Sequence, residues 1–159
     1  MTIAYAGVGS NLQEPVRQVE AAFATLDRIA HTRLVKRSSL YRSAPLGYAR
    51  QPRFVNAVAM LDTALAPQRL LEELQGIEAR QGRQRSFANA PRTLDLDLLL
   101  FGDLQQSEPA LTLPHPRMHE RAFVLEPLLD LAPGATVPGK GSAAACLEAC
   151  RGQSVEKIA

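Results

Sequence analysis

Residues 92–103, RTLDLDLLLFGD, combine the leucine-rich composition of a buried strand with two aspartates. Because side chains on a strand alternate between its two faces, Leu94, Leu96 and Leu98 are predicted to point into the core. Asp95 and Asp97 then point together toward the opposite face, about 7 Å apart along the backbone. Like charges on one face repel each other, so this arrangement indicates that a cation lies beside the two carboxylates.

Paired aspartates supply the oxygen ligands that Mg²⁺ prefers, usually together with substrate phosphates and water. A D-x-D pair is a weak signal alone, since both side chains could reach solvent at the sheet edge, paired for example with Arg92. The preceding residues 82–92, GRQRSFANAPR, also carry Arg83 and Arg85. Guanidinium groups match the geometry of phosphate oxygens. Because these arginines lie beside two aspartates in the sequence, phosphate binding is favoured over the alternative of a solvated basic loop. The segment therefore predicts a site for Mg²⁺ and phosphate.

Two further segments carry polar groups in unusual settings. In LPHPRMHER (113–121), two prolines hold His115 in an extended conformation close to Arg117 and Arg121, which favours a phosphate contact over a packed core histidine. In RFVNAV (53–58), Phe54 and Asn56 share one face of a predicted strand. An aromatic ring can stack on a flat heterocycle and a carboxamide can bond to its edge, although core packing of Phe54 is the simpler alternative.

Composition is that of a globular enzyme-sized domain. The 159 residues include 18 basic and 16 acidic side chains, a net charge of +2 that does not favour nucleic-acid binding. No apolar run approaches the roughly 20 residues that span a bilayer, and the N-terminus lacks a signal-peptide pattern, so we expect a cytoplasmic protein. Cys146 and Cys150 are expected to be small core residues rather than zinc ligands.

The element order predicted from periodicity is β-α-β-β-α-β. Strands are expected at 2–10, 32–43, 53–61 and around the two aspartates, with helices after Pro15 and Pro67. A helix from Arg121 to Leu131, broken by Pro127, and a cysteine-bearing C-terminal helix follow. This order predicts a single α+β domain over residues 1–159, with a ferredoxin-like antiparallel or mixed sheet flanked by helices in three α/β/α layers.

Several motifs together resemble one enzyme family over nearly the whole chain: GSNL (9–12), YRSAPLG (41–47), FVNAV (54–58), APRTLDLDLLLFG (90–102), LPHPRMHERAF (113–123) and EPLLDLAP (126–133). That family is 6-hydroxymethyl-7,8-dihydropterin pyrophosphokinase of folate biosynthesis. The resemblance implies transfer of the diphosphate of ATP to the pterin hydroxymethyl group with release of AMP. It also implies two Mg²⁺ ions, ATP as co-substrate, small-molecule partners without nucleic acid or membrane, and a monomer.

The resemblance assigns roles residue by residue. It implies that Asp95 and Asp97 hold both magnesium ions and form the catalytic set with Arg83, Arg85 and Arg92. The implied ATP contacts are Gln75, Glu78, Arg83, Arg92, Leu98, Thr112, His115 and Arg121. The implied pterin contacts are Ser43, Ala44, Leu46, Phe54, Asn56 and Phe123.

Two other classes of protein remain as alternatives. One is a different D-x-D metal enzyme, such as a glycosyl- or nucleotidyltransferase. The other is an RNA-binding ferredoxin-like module, although its characteristic strand aromatics are not supplied by FVNAVAML (54–61) or TIAYAGVG (2–9). The chain also lacks a Walker A loop, and GVGSNL (7–12) lacks the third glycine of a dinucleotide-binding fingerprint.

Overall fold

The structure is a computed structural model that describes residues 1–11, 14–43, 54–82 and 94–158. Within these ranges the strands are β1 (Thr2–Ser10), β2 (Thr32–Arg37), β3 (Tyr41–Ser43), β4 (Phe54–Thr63), β5 (Asp95–Phe101), β6 (Gln106–Glu108), β7 (Leu111–Leu113), β8 (Thr136–Val137), β9 (Gly141–Ser142) and β10 (Val155–Lys157). The helices are α1 (Pro15–Leu26), α2 (Pro67–Gly82), α3 (Ala122–Leu131) and α4 (Ala143–Glu148), with a 3-10 helix at Met118–Glu120.

One antiparallel sheet organises the molecule. Its strands follow the order β10-β3-β4-β1-β5, and β2 also pairs with β4. The α+β class is confirmed, with α1 after β1 and α2 after β4. The predicted order β-α-β-β-α-β becomes β-α-β-β-β-α-β, because the second predicted strand is divided into β2 and β3. Among the described strands β5 pairs only with β1, so the aspartate-bearing strand lies at the edge of the sheet.

The sheet separates two hydrophobic clusters and so forms the middle of three layers. On one face, α1 and α2 cover a cluster that includes Leu94, Leu96 and Leu98, which are 1%, 4% and 3% exposed. On the other face, α3 and α4 pack over a second cluster, which contains the free thiols of Cys146 and Cys150. The predicted core direction of the three alternating leucines is therefore confirmed.

The long strand predicted over 32–43 is divided in the structure. Both parts, β2 and β3, pair with β4, but residues 38–40 between them leave the ladder. The cause is Ser38, whose Oγ accepts the Val58 N–H at 2.9 Å and donates to the Ser39 carbonyl at 2.7 Å. A serine hydroxyl that replaces a backbone partner interrupts regular pairing, and the strand resumes one residue out of step.

The prediction that Pro127 breaks the helix after Arg121 is wrong, because α3 continues through it. Proline lacks the N–H that would bond to the carbonyl four residues earlier, and this costs stability in a helix interior. The helix nevertheless buries Val124, Leu125 and Leu128 against the sheet, and Pro127 itself is buried. Burial of this apolar face offsets the lost hydrogen bond.

Candidate active site

A cavity of about 420 Å³ opens on the sheet face that α3 covers. Residues paired across antiparallel strands share a face, and the register brings Asp95 beside Gly9, which in turn lies beside Asn56. One pair further along, Asp97 lies beside Gly7. The described residues that line the cavity are Gly7, Val8, Gly9, Ser43, Phe54, Asn56, Ala57, Glu78, Asp95, Asp97, Arg121, Phe123 and Val124.

The two glycines of β1 leave the floor of this cavity free of side chains. A Cβ at Gly9 would lie 2.9 Å from the Asn56 Oδ1, too close unless the carboxamide moved. A Cβ at Gly7 would lie 3.5 Å from the side chain of Leu99, which is an ordinary contact distance. The absence of a side chain at Gly9 therefore determines where the Asn56 amide can lie.

Three carboxylates and one guanidinium line the described part of the cavity. Asp95 and Asp97 are half-buried on β5, as the alternation predicted. Glu78 of α2 lies beside them, and its Oε2 accepts the Leu96 N–H at 2.8 Å. This bond satisfies a backbone donor on the edge strand β5 and fixes the α2 helix against it. The counter-charge in the lining is Arg121, at the start of α3.

The aspartate pair fits a magnesium ion that is shared with a substrate. Within the described residues, no group of three or more His, Cys, Asp and Glu side chains could hold a metal ion alone. Mg²⁺ commonly takes only one or two carboxylates and completes its octahedron with phosphate and water oxygens. The side-chain-free floor over Gly7 and Gly9 leaves space for those oxygens. Asp95 and Asp97 are thus suitable ligands for Mg²⁺ bound together with phosphates.

The opposite end of the cavity combines two aromatic rings with a buried, oriented amide. Asn56 and Ser43 are both 6% exposed, and the Asn56 Nδ2 donates to the Ser43 Oγ at 2.9 Å. This bond fixes the amide, so that its remaining groups face the cavity at a defined angle. Phe54 from β4 and Phe123 from α3 both line the same space. Two rings beside an oriented amide provide stacking surfaces and edge hydrogen bonds.

His115 is held in one tautomer by its neighbours. Its backbone N–H donates to the Leu99 carbonyl at 2.9 Å, and its Nδ1 accepts the Arg117 N–H at 3.1 Å. Burial lowers the pKa of His115, and the negative charge of Asp97 opposes this shift. The positive charges of Arg121 and Arg117 add to the lowering. The neutral ring therefore carries its proton on Nε2, where it can donate to an anion.

The other predicted site residues that the structure describes do not line this cavity. Gln75 is exposed on α2, and Thr112 and His115 line a separate cavity of about 530 Å³ beside the β6-β7 hairpin. Leu98 is 3% exposed within the first cluster, so its side chain has almost no surface to offer a nucleotide. The remaining predicted contacts fall outside the described residues: Ala44, Leu46, Arg83, Arg85 and Arg92.

Sequence reasoning did not assign the two glycines to the site. The GVG spacing was tested only as a nucleotide-binding fingerprint, which it does not match. Its i, i+2 spacing on a predicted strand does place Gly7 and Gly9 on one face. The sequence could not predict that β1 pairs with the aspartate strand on one side and with the Asn56 strand on the other.

A family comparison bears directly on this cavity. The family model for 7,8-dihydro-6-hydroxymethylpterin-pyrophosphokinase (HPPK) matches residues 5–133, which include every described residue of the cavity lining. The chain belongs to the HPPK family.

Two bacterial relatives agree with this membership over most of their length. A 2-amino-4-hydroxy-6-hydroxymethyldihydropteridine pyrophosphokinase of Pseudomonas aeruginosa is 51% identical over 154 residues, covering 97% of this chain and 95% of the relative. The Haemophilus influenzae protein of the same name is 47% identical over 138 residues, covering 87% and 86%. A crystal structure of wild-type Plasmodium falciparum HPPK-DHPS with pteroate has a TM-score of 0.74 at 13% identity, covering 93% of this chain and 44% of that chain. This last likeness supports the HPPK fold.

In the described ranges, no helix combines the length and the apolar character that a bilayer crossing requires.

Proposed function

We propose that the cavity is the active site at which this HPPK-family enzyme transfers a diphosphate group from ATP to 6-hydroxymethyl-7,8-dihydropterin in folate biosynthesis. The products are AMP and the pterin diphosphate. Family membership and the two bacterial relatives support this reaction. The observation that carries the assignment to this cavity is the register of three strands, in which only Gly9 separates Asp95 from Asn56. A phosphate-binding end and a heterocycle-binding end therefore meet in one space.

The phosphate end is proposed to consist of Asp95, Asp97 and Arg121, joined by His115 from the neighbouring cavity, because the charge of Asp97 acts on the His115 ring. The two aspartates would hold Mg²⁺, with two ions as the proposed number, and bound Mg²⁺ supplies charge neutralisation on the phosphate oxygens. Arg121 lines the cavity and would pair with those oxygens, since a guanidinium forms parallel hydrogen bonds to phosphate. His115 would add an Nε2–H donor without adding charge.

The pterin end is proposed to consist of Ser43, Phe54, Asn56 and Phe123. The Asn56 amide, oriented by Ser43, would bond to the edge of the bicyclic ring. Phe54 and Phe123 would stack on its faces, because both rings line the cavity from different elements. This arrangement would point the hydroxymethyl group toward the aspartates.

Transfer then depends mainly on positioning. The hydroxymethyl oxygen attacks the β-phosphorus, the bond from the β-phosphorus to the bridging oxygen of AMP breaks, and the hydroxyl proton is released. Holding both substrates in line at contact distance replaces a two-molecule encounter with a step inside one complex. Glu78 contributes by fixing β5 to α2, and so keeps the aspartates at the level of the glycine floor.

Several proposed contacts lie outside the described residues and rest on the family resemblance alone. Arg83, Arg85 and Arg92 are proposed to contact the phosphates, and Ala44 and Leu46 to complete the pterin pocket.

Gln75, Glu78 and Thr112 are kept as proposed ATP contacts. Leu98 is kept only through its backbone, because its side chain is in the core while β5 lies at the sheet edge.

We also propose that the enzyme acts as a monomer in the cytoplasm. The family resemblance supports the monomer, and the lack of any helix in the described ranges that could cross a bilayer is compatible with the cytoplasm. Analytical ultracentrifugation of the active enzyme should give the mass of one chain, and a stable dimer would contradict this part of the proposal.

The fate of each phosphate tests the proposed reaction. ATP labelled at the β-phosphorus should transfer its label to the pterin product, whereas label at the α-phosphorus should remain in AMP. Transfer of the β label and release of AMP should both require the hydroxymethyl group, and 6-methyl-7,8-dihydropterin is the matched control that lacks the nucleophile. Release of labelled ADP, or label movement to a sugar or nucleic acid, would contradict diphosphate transfer to a pterin.

A further inference from the structure

Arg121 joins a 3-10 helix to an α-helix. Arg121 follows the 3-10 helix at Met118–Glu120 and precedes α3, with an extended conformation of φ −120° and ψ 106°. Its guanidinium carbon lies 5.5 Å from the centre of the Phe123 ring, and both side chains line the cavity. A change in the backbone angles at Arg121 would therefore move the Arg121 guanidinium and the Phe123 ring, which both line the cavity.

One side chain from the C-terminal segment bridges this junction. The Gln153 Oε1 accepts the Ala122 N–H at 2.8 Å, and the Gln153 Nε2 donates to the Glu120 carbonyl at 2.7 Å. These two groups belong to the peptide units directly before and after the Arg121 Cα. A single planar carboxamide thus constrains both backbone angles of Arg121.

The bridge also replaces a missing helix cap. Arg121 is the N-cap residue of α3 but makes no side-chain capping bond there. The first N–H groups of a helix have no partner within the helix, and the Gln153 carboxamide supplies one for Ala122. Gln153 is itself held, because its backbone N–H donates to the Cys150 carbonyl at 2.9 Å, just after α4.

We infer that Gln153 is a positioning residue, which sets the direction of the Arg121 side chain toward the phosphates. The inference rests on the proposed role of Arg121 and extends it to a part of the chain beyond residues 5–133, the range of the family match. The bond to the Glu120 carbonyl adds nothing to the capping of α3, because that carbonyl lies before the helix begins. The geometry instead couples the C-terminal segment to the phosphate end of the site.

A double-mutant cycle on kcat/KM for ATP tests this inference. Gln153→Ala should lower kcat/KM by roughly 10- to 100-fold, because small misplacement of a positioning group is costly in transfer reactions. Arg121→Ala should lower it at least as much. In the Arg121→Ala background, adding Gln153→Ala should change kcat/KM by less than about twofold, since residues that act as one unit are not additive. Gln68→Ala, on the exposed side of α2, is the matched control and should keep the parent value.

The other outcomes identify which idea fails. Multiplicative losses in the double variant, or a parent-like Gln153→Ala enzyme beside an impaired Arg121→Ala enzyme, would overturn the positioning role alone. A parent-like Arg121→Ala enzyme would overturn the proposed role of Arg121 and the inference with it. Gln153→Glu keeps an acceptor for Ala122 but loses the donor to Glu120, so it should resemble Gln153→Ala at neutral pH. Parent-like activity of Gln153→Glu would contradict the two-sided bridge.

Discussion

Gly9 lies between the two ends of the cavity, because it pairs with Asp95 on one side and with Asn56 on the other. A Cβ there would lie 2.9 Å from the Asn56 Oδ1 and would displace a carboxamide that is otherwise bonded to Ser43. A displaced buried amide loses about 1–3 kcal/mol when its partners are not replaced. Gly9→Ala should therefore weaken binding of the pterin about tenfold or more in calorimetry.

Gly7→Ala is the control for this prediction, because it adds the same methyl group two residues away on the same face. Its Cβ would meet Leu99 at an ordinary 3.5 Å. We expect the loss of pterin affinity to be clearly smaller for Gly7→Ala than for Gly9→Ala. Equal losses for the two variants would show that general narrowing of the cavity, rather than displacement of Asn56, explains the effect.

Asn56 is expected to select the pterin and not the nucleotide. Its amide lies at the heterocycle end, on β4, while the aspartates lie two strands away on β5. Replacing the amide leaves polar groups of a bound pterin unpaired, which costs about 1–3 kcal/mol for each group. Asn56→Leu should weaken pterin binding at least tenfold and leave the affinity for a nonhydrolysable ATP analogue nearly unchanged. Loss of analogue binding with intact pterin binding would contradict the assignment of the two ends.

At the level of single residues, strand alternation accounts for what the sequence could predict. The D-L-D-L pattern was sufficient to separate Asp95 and Asp97 from the core leucines, and the structure agrees. Alternation gives the face of a side chain but not its neighbour on the next strand. The proximity of Asp95 to Asn56 depends on a register between strands that are distant in sequence, and no local pattern encodes it.

Among the elements, β3 is tied to α3 by a buried tyrosine. Asp130 on α3 accepts the Ser39 N–H at 2.8 Å and a hydrogen bond from the hydroxyl of Tyr41. Tyr41 pairs with Asn56 across the β3-β4 ladder. This link therefore holds the strand that carries Ser43 beside the pterin end of the cavity.

The tie between Tyr41 and Asp130 predicts a pH dependence of stability. Burial and the neighbouring Asp130 raise the pKa of Tyr41 to about 12, above the ordinary value of 10.0. The folded protein therefore retains the tyrosine proton more strongly than the unfolded chain does. This contribution to stability is complete below pH 10 and is lost as the pH rises toward 12.

Urea unfolding between pH 8 and pH 11.5 measures this effect. The free energy of unfolding should fall more steeply above pH 10 in the parent than in Tyr41→Phe, which has no proton to lose there. Absorbance titration of the tyrosinate should also lose its highest step in Tyr41→Phe. Parallel stability curves for the two proteins would contradict the interaction between Tyr41 and Asp130.

Two features of the elements could not be predicted from periodicity. The break at Ser38 arises because its hydroxyl takes the place of a backbone acceptor for Val58, which depends on a partner 20 residues away. The continuation of α3 through Pro127 depends on apolar burial against the sheet, which outweighs the local penalty of proline. In both places tertiary contacts override a local preference.

At the scale of the whole molecule, both ends of the cavity lie on one face of one sheet. α1 and α2 cover the other face completely enough to bury Leu94, Leu96 and Leu98, and this fixes the edge strand β5. On the face toward α3, the cavity lies over Gly7 and Gly9, which provide no side chains. The proposed phosphate and pterin ends therefore lie on two strands of one sheet, one on either side of β1.

The most direct test of this account is the rate of AMP release by aspartate variants, with ATP, Mg²⁺ and 6-hydroxymethyl-7,8-dihydropterin all saturating. Asp95→Asn and Asp97→Asn keep the side-chain volume but remove the charge that a magnesium ligand needs. Each should lower kcat by about 100-fold or more, as losing a preorganised electrostatic group does. Asp103→Asn, exposed in the turn after β5, should match the parent. Parent-like rates for both Asp95→Asn and Asp97→Asn would contradict the placement of diphosphate transfer in this cavity.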